Sequence, residues 1–187
     1  KYNVVSCSAD AVEDGIVRLS DFDAVDIIAG LEENDGHSLV YYKSFTPTLQ
    51  KKLADYANNH GRIFVSGSYI GSDMTSDTER SFLSNTLKVS LAGQNRDQIN
   101  TIVTGLGVKM DVWRALNEEH YAAVATDVID AEQGAYCAMQ YADGTSAAVA
   151  YDGKDYKAFT MGFPVECIKD TSIRRGVIRG IMAFLLK

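Results

Sequence analysis

Histidine, cysteine and proline are scarce in these 187 residues, with three, three and two copies respectively. Three cysteines are too few for a disulfide framework, and Cys7, Cys137 and Cys167 follow no metal-ligand spacing. Each lies in or beside an apolar run, which predicts small buried hydrophobes. With only His37, His60 and His120 available, histidine-dependent acid–base chemistry has few places to occur. Basic runs are also missing. Lysine and arginine total 18 against 25 acids, a net charge of −7, so neither a nucleic-acid backbone nor an anionic membrane surface is an expected partner. Arg174, Arg175 and Arg179, the densest cationic cluster, read as a solvated helix face. No apolar run reaches the length of a membrane span.

What is present describes a globular chain. A hydrophobic fraction of 46% with 23% charged residues suffices for one packed core, and residues 1–187 read as a single domain. No initiator Met or signal peptide precedes Lys1, and a strand-like run over residues 2–7 follows it directly. The chain reads as a piece excised from a longer, multidomain protein.

Periodicity predicts the elements. Ser8 can cap a short helical turn that Gly15 ends, and residues 22–30 form a β-branched strand stopped by Gly30. Residues 39–42 fit a short extension or a loop. Thr46 and Pro47 open a helix whose apolar stripe is Leu49, Leu53, Tyr56 and Ala57. A strand over residues 62–66 then runs into the turn Gly67, Ser68, Tyr69, Ile70, Gly71. Ser76 and Glu79 are spaced as a capping box, with Phe82, Leu83 and Leu87 inward. Residues 88–134 carry weak signals, with strand candidates at 99–104 and 108–113. Asp143-Gly144 and Asp152-Gly153 separate three alternating runs at 135–141, 146–151 and 156–161, a strong hairpin signal. A helix from about Thr171 closes the chain, striped by Ile173, Val177, Ile178, Ile181, Met182 and Leu185.

Two segments carry the candidate chemistry: the turn at residues 67–71 and the later Gly162, Phe163, Pro164, Val165, Glu166. Together they resemble the class I glutamine amidotransferase-like superfamily, in which a G-x-C-x-G elbow holds a nucleophile and a late segment supplies histidine and carboxylate. Tyr69 stands at the cysteine position and Pro164 at the histidine position, and only the carboxylate, Glu166, is kept. A narrower resemblance, over residues 22–30, 66–73, 141–151 and 162–166, is to the C-terminal domain of secreted Bacteroidetes proteins labelled xanthan lyase. These resemblances imply a three-layer αβα Rossmann- or flavodoxin-like sheet, mostly parallel, with an antiparallel meander near one edge and the first β-α unit missing. They also imply a periplasmic, cell-surface or extracellular setting.

An acyl-transfer site needs a nucleophile, a base and oxyanion donors. The turn can offer backbone donors, but a tyrosine hydroxyl with an ordinary pKa near ~10 is a poor nucleophile, and proline accepts no proton. Ser68 is one residue early, and Ser66 lies within the strand, where small residues also serve to close a turn. Glu166 can orient a partner or hold backbone N–H groups, and Asp73 can bind a ligand hydroxyl or cap the next turn. His60 reads as a helix-end residue, His120 as solvent-facing, and His37 belongs to an acidic loop able to fold over the turn. Glu32, Glu33, Asp35 and His37 form an unpromising metal set, and no metal or cofactor is expected.

The resulting expectation is a non-catalytic accessory or binding domain. Its ligand surface comprises Ser66, Ser68, Tyr69, Asp73 and Glu166, and its partners are the other domains of its polypeptide and a carbohydrate or cell-wall ligand. The alternative is a hydrolase with a displaced serine site built from Ser68, His37 and an acid such as Glu166. A third reading is a purely structural domain packed against its neighbours.

Overall fold

The computed structural model describes residues 2–34, 36–37, 42–116 and 118–187. Helix α1 (Ala9–Glu13) starts where the Ser8 hydroxyl accepts from the Ala11 N–H, and Gly15 follows in the left-handed region at φ +75°. Strand β1 (Val25–Gly30) comes next. Helix α2 (Pro47–Asn58) is capped by the Thr46 hydroxyl, which accepts from the Leu49 N–H at 3.1 Å. Pro47 occupies the first turn, where its missing N–H costs nothing. Strand β2 (Arg62–Gly67) leads through the Gly-flanked turn to α3 (Asp77–Phe82), and both halves of the Ser76–Glu79 capping box are formed. A wide π-type turn (Leu83–Leu87) ends at Lys88 in the left-handed region, φ +59°.

The strands β3 (Val89–Asn95), β4 (Ile102–Gly105), β5 (Val108–Asp111), β6 (Thr126–Ala131), β7 (Ala135–Tyr141), β8 (Ser146–Asp152) and β9 (Lys157–Met161) follow. Helix α4 (Thr171–Leu185) starts at Asp170, whose carboxylate accepts from the N–H groups of Ser172 and Ile173. Seven strands form one sheet in the order β1-β2-β9-β8-β7-β4-β5, and β3 pairs with β6 in a separate ribbon. Among the described residues β1–β2 and β2–β9 pair in parallel, and the other strand pairings are antiparallel.

This topology corrects the expected fold class. The sheet is mixed and mostly antiparallel, so a mostly parallel Rossmann- or flavodoxin-like arrangement does not hold. Nor does the meander lie near an edge: β8 and β9 occupy the middle of the sheet. The physical reason is readable in their side chains. Ala147, Ala148, Val149 and Ala150 on β8, and Ala158, Phe159, Thr160 and Met161 on β9, are buried on both faces, which only central strands tolerate. The strand expected over residues 2–7 does not form. Val4 and Val5 are 84% and 64% exposed, and among the described residues no strand pairs with this segment.

One core packs Ile63, Val65 and Ala158 of the sheet against Leu49, Leu53 and Ala57 of α2, and against Val89 and Ile129 of the ribbon. The other packs Phe64, Phe159 and Met161 against Val177, Ile181 and Leu185 of α4. Each fully buried Val, Leu, Ile, Phe or Met among these contributes roughly 1.5–3 kcal/mol. The expected burial of all three cysteines holds for Cys167 alone; Cys7 and Cys137 are exposed. The extension expected over residues 39–42 falls, apart from Tyr42, outside the described residues.

Candidate functional site

Strand β2 is buried almost throughout, and the chain reverses immediately after it. A Cβ on Gly67 would lie 2.9 Å from both the Ala29 Cβ and the Ile70 Cδ1, so the turn closes only around a glycine. The Ser68 N–H donates to the Gly30 carbonyl at 2.8 Å, fixing the turn against the end of β1. Ser66 and Ser68 are both 0% exposed. Among the described residues neither hydroxyl has a hydrogen-bond partner, so Ser68 is not bonded to His37 or to another base there.

Tyr69 is half-buried, and its phenol is pushed up by burial first and then by the Glu33 charge. Asp73 is buried, and both its oxygens are occupied. Oδ1 accepts from the Asn34 N–H at 2.9 Å and Oδ2 from the Ser44 N–H at 2.7 Å. The Ser44 hydroxyl in turn donates to the Glu32 carbonyl at 2.8 Å. Asp73 therefore clasps the loop between β1 and α2 to the turn after β2.

Glu166 lies in the short 3-10 turn Val165–Cys167, where its Oε1 accepts a short hydrogen bond from the Tyr121 hydroxyl. Its Oε2 is buried without a partner. Gly30 stands beside the pair in the left-handed region, at φ +56°, which favours glycine; a Cβ there would make ordinary contact, 3.6 Å from the Glu166 Oε1 and 3.9 Å from the Tyr121 hydroxyl. Burial, and then the Tyr121–Glu166 bond and the Glu166 charge, push the Tyr121 phenol up. The Cys167 thiol rises to about 11, through burial and then the same carboxylate. Asp26 is raised to about 6 by burial among its neighbours and then by the Glu166 charge. Its exposed flank lets water temper the burial contribution.

Sequence reasoning missed three residues here: Tyr121, Asp26 and Asp127. Asp26 shares the strand face of Ile28 by the period of two, a signal that was available, and a register shift separates Ile28 from Gly30. Tyr121 lies in an irregular stretch where no pattern marks it. Asp127, on the unrecognised ribbon strand β6, is 0% exposed. Its Oδ2 accepts from the Gly71 and Ser72 N–H groups at 2.6 and 2.9 Å, while Oδ1 has no partner. Burial raises its carboxyl against those bonds.

The histidines are dispersed. His60 sits past α2 at φ +64°, with Nδ1 2.8 Å from the Asp155 carbonyl. His120 is exposed and lies tilted against Trp113, 5.1 Å between ring centroids. Of the acidic loop considered for metal, Asp35 lies outside the described residues. Among the described residues no group of three His, Cys, Asp or Glu side chains could hold an ion.

No family model and no curated protein matches the chain. Solved structures do. An exo-β-1,4-mannosidase from Opitutaceae bacterium strain TAV5 matches over 90% of this chain and 26% of its own, with 11% identity and a TM-score of 0.55. A β-galactosidase from the Antarctic haloarchaeon Halorubrum lacusprofundi matches over 90% and 23%, at 14% identity and TM-score 0.57. Another, from Bacillus circulans sp. alkalophilus, matches over 89% and 23%, at 13% identity and TM-score 0.57. The chain thus spans about a quarter of the length of these proteins, and the likeness is one of fold. It overturns the expected kinship with glutamine amidotransferases and with the Bacteroidetes domains: the similar chains are glycosidases, and the matched quarter of each shares this chain's β-rich fold. Reading Tyr69 and Pro164 as a lost cysteine and histidine has no family left to rest on.

Proposed function

We propose that this chain is a non-catalytic, carbohydrate-associated domain of a larger secreted protein, whose ligand face lies beside Gly30 at the carboxyl end of β1. One observation carries the reading: Tyr121 is 46% exposed, yet its hydroxyl is held by Glu166. An aromatic ring fixed in place before binding loses little freedom on meeting the C–H face of a sugar. Ile28, 63% exposed, extends the apolar strip, and the Asp26 carboxyl on the same strand face can take sugar hydroxyls. The glycosidase likeness supports the ligand class. Ser68, sealed and without a base, counts against the hydrolase alternative, and Ser66 and Asp73 act inside the fold rather than on the ligand.

Among the described residues no helix is long and apolar enough to cross a membrane; the secreted setting is part of the proposal. Titrating 15N-labelled protein with β-1,4-mannotriose and with β-linked galactobiose tests it. Shifts concentrated at Asp26, Ile28, Gly30, Tyr121 and Glu166, and lost in Tyr121→Ala, are expected. Absence of shifts with both sugars sinks the reading.

A further inference from the structure

At the other end of the sheet, where β1 and β2 begin, a cleft of about 890 Å³ opens between the segment before β1, the second half of α2 and the residues that follow α4. That volume falls within the ~300–1,000 Å³ usual for ligand clefts. Its charge runs against that of the chain. Arg18, Lys52, Arg62 and Lys187 line it against Asp23 and Asp55, in a protein of net charge −7. Arg18 is already engaged with Asp21 at 3.3 Å. Lys52 makes no ion pair among the described residues.

Arg62 is the better-placed cation. One terminal nitrogen of its guanidinium donates to the His60 and Gly61 carbonyls at 2.7 and 3.0 Å. These bonds hold the group still and leave its other donors without a protein partner among the described residues. A fixed planar fork with free N–H groups matches a carboxylate. Aromatic surface completes the lining: Tyr2 is 52% exposed, and Tyr56, whose hydroxyl donates to the Phe22 carbonyl at 3.0 Å, forms the wall beside Phe22.

We infer that this cleft binds an acidic sugar, a uronate unit, with Arg62 and Lys52 holding its carboxylate and the rings of Tyr2 and Phe22 covering its apolar face. The saccharide half of this assignment rests on the carbohydrate reading above; the anion half rests on the cleft alone. This site is separate from the Tyr121–Glu166 face, because the two lie at opposite ends of the parallel strands β1 and β2. It gives the domain a means to hold a charged glycan while its other end meets a neutral one.

The test is a 15N titration of the 187-residue chain with trigalacturonate and, separately, with galactotriose. Trigalacturonate is expected to move the resonances of Tyr2, Phe22, Lys52 and Arg62, and galactotriose to leave that end unmoved. Arg62→Gln and Lys52→Gln should each weaken trigalacturonate binding about tenfold, and high salt should weaken it further. Lys52 lies on the outer side of α2, so its variant stays informative if Arg62→Gln folds poorly. The inference is overturned if trigalacturonate leaves the cleft unmoved, if the neutral trimer binds there equally, or if both variants bind like the parent. Shifts from galactotriose at Tyr121 bear only on the preceding reading, so the two can fail independently.

Discussion

The backbone N–H of Asp127 is shared between the carbonyls of Ser68, at 3.0 Å, and Gly162, at 2.9 Å. One residue of the ribbon strand β6 thereby joins the two segments that looked, in sequence, like halves of a catalytic site. Its side chain continues the tie by accepting the Gly71 and Ser72 N–H groups. Asp127→Ala should strip both donors of their acceptor and cost about 2–3 kcal/mol. Asp127→Asn, which keeps one carbonyl oxygen and removes a charge that burial disfavours, should cost clearly less. Urea denaturation of the two variants checks the order; equal losses would show that the charge itself is required.

Gly162 meets the same strand at closer range. A Cβ there would lie 2.2 Å from the Asp127 carbonyl oxygen, a backbone atom that cannot swing aside. Gly162→Ala should therefore displace β6 from the segment that follows β9 and destabilise by about 3 kcal/mol or more. Thermal melting reads this directly, and a near-unchanged midpoint would refute the contact.

Lys43 and Glu79 form a buried ion pair, and Glu79 also accepts from the Thr75 and Ser76 N–H groups at 2.9 and 2.8 Å. Burial alone would raise the Glu79 carboxyl, but the Lys43 and Ser76 bonds prevail and hold it at about 2. The folded value is depressed, so this stabilisation is present above the unfolded pKa of about 4.5 and is lost as pH falls towards 2. Glu79→Gln, leaving the Lys43 charge buried, should lose about 3–5 kcal/mol at neutral pH. The difference from the parent should shrink below pH 4, which a pH series of denaturation curves would reveal.

Asp26 has the opposite sign. Its folded pKa is raised to about 6, so the folded state favours the protonated form. The resulting penalty is absent below about 4 and complete above about 6. Asp26→Asn should flatten the stability profile between those values. At pH 7 the gain should be under about 1 kcal/mol, because water screens the exposed flank. A profile unchanged from the parent would mean that neither burial nor the Glu166 charge raises the Asp26 carboxyl in the folded state.

Ser68 carries a buried hydroxyl with no partner. Ser68→Ala should be neutral or slightly stabilising, by up to about 1 kcal/mol, since it removes an unsatisfied polar atom. A fluorophosphonate probe should leave Ser68 unlabelled. Labelling would revive the hydrolase alternative.

Much of the local structure could be read from the chain. Ser8, Thr46 and Ser76 begin helices because their side chains accept the first free N–H groups, an effect confined to neighbouring residues. The hairpins at Asp143-Gly144 and Asp152-Gly153 are equally local, and Gly144 does adopt a left-handed φ of +84°. The strands β3 and β6 escaped notice because neither alternates strongly. Val89 and Ile129 are buried, while Ser90 and Leu91 remain half-open or exposed, so the ribbon gains its definition from pairing rather than from propensity.

Sequence alone determined the caps, the turns, the apolar stripes of α2 and α4, and the glycines that the turn after β2 requires. Only the tertiary structure decided the strand order that places β8 and β9 centrally, the sealing of Ser66 and Ser68, and the company Glu166 keeps. The reason is one of range. A cap or turn is set by residues that the backbone already holds together. Tyr121 meets Glu166 across 45 positions and Gly71 meets Asp127 across 56, and contacts of that span follow from the packing of whole strands, which no short motif encodes.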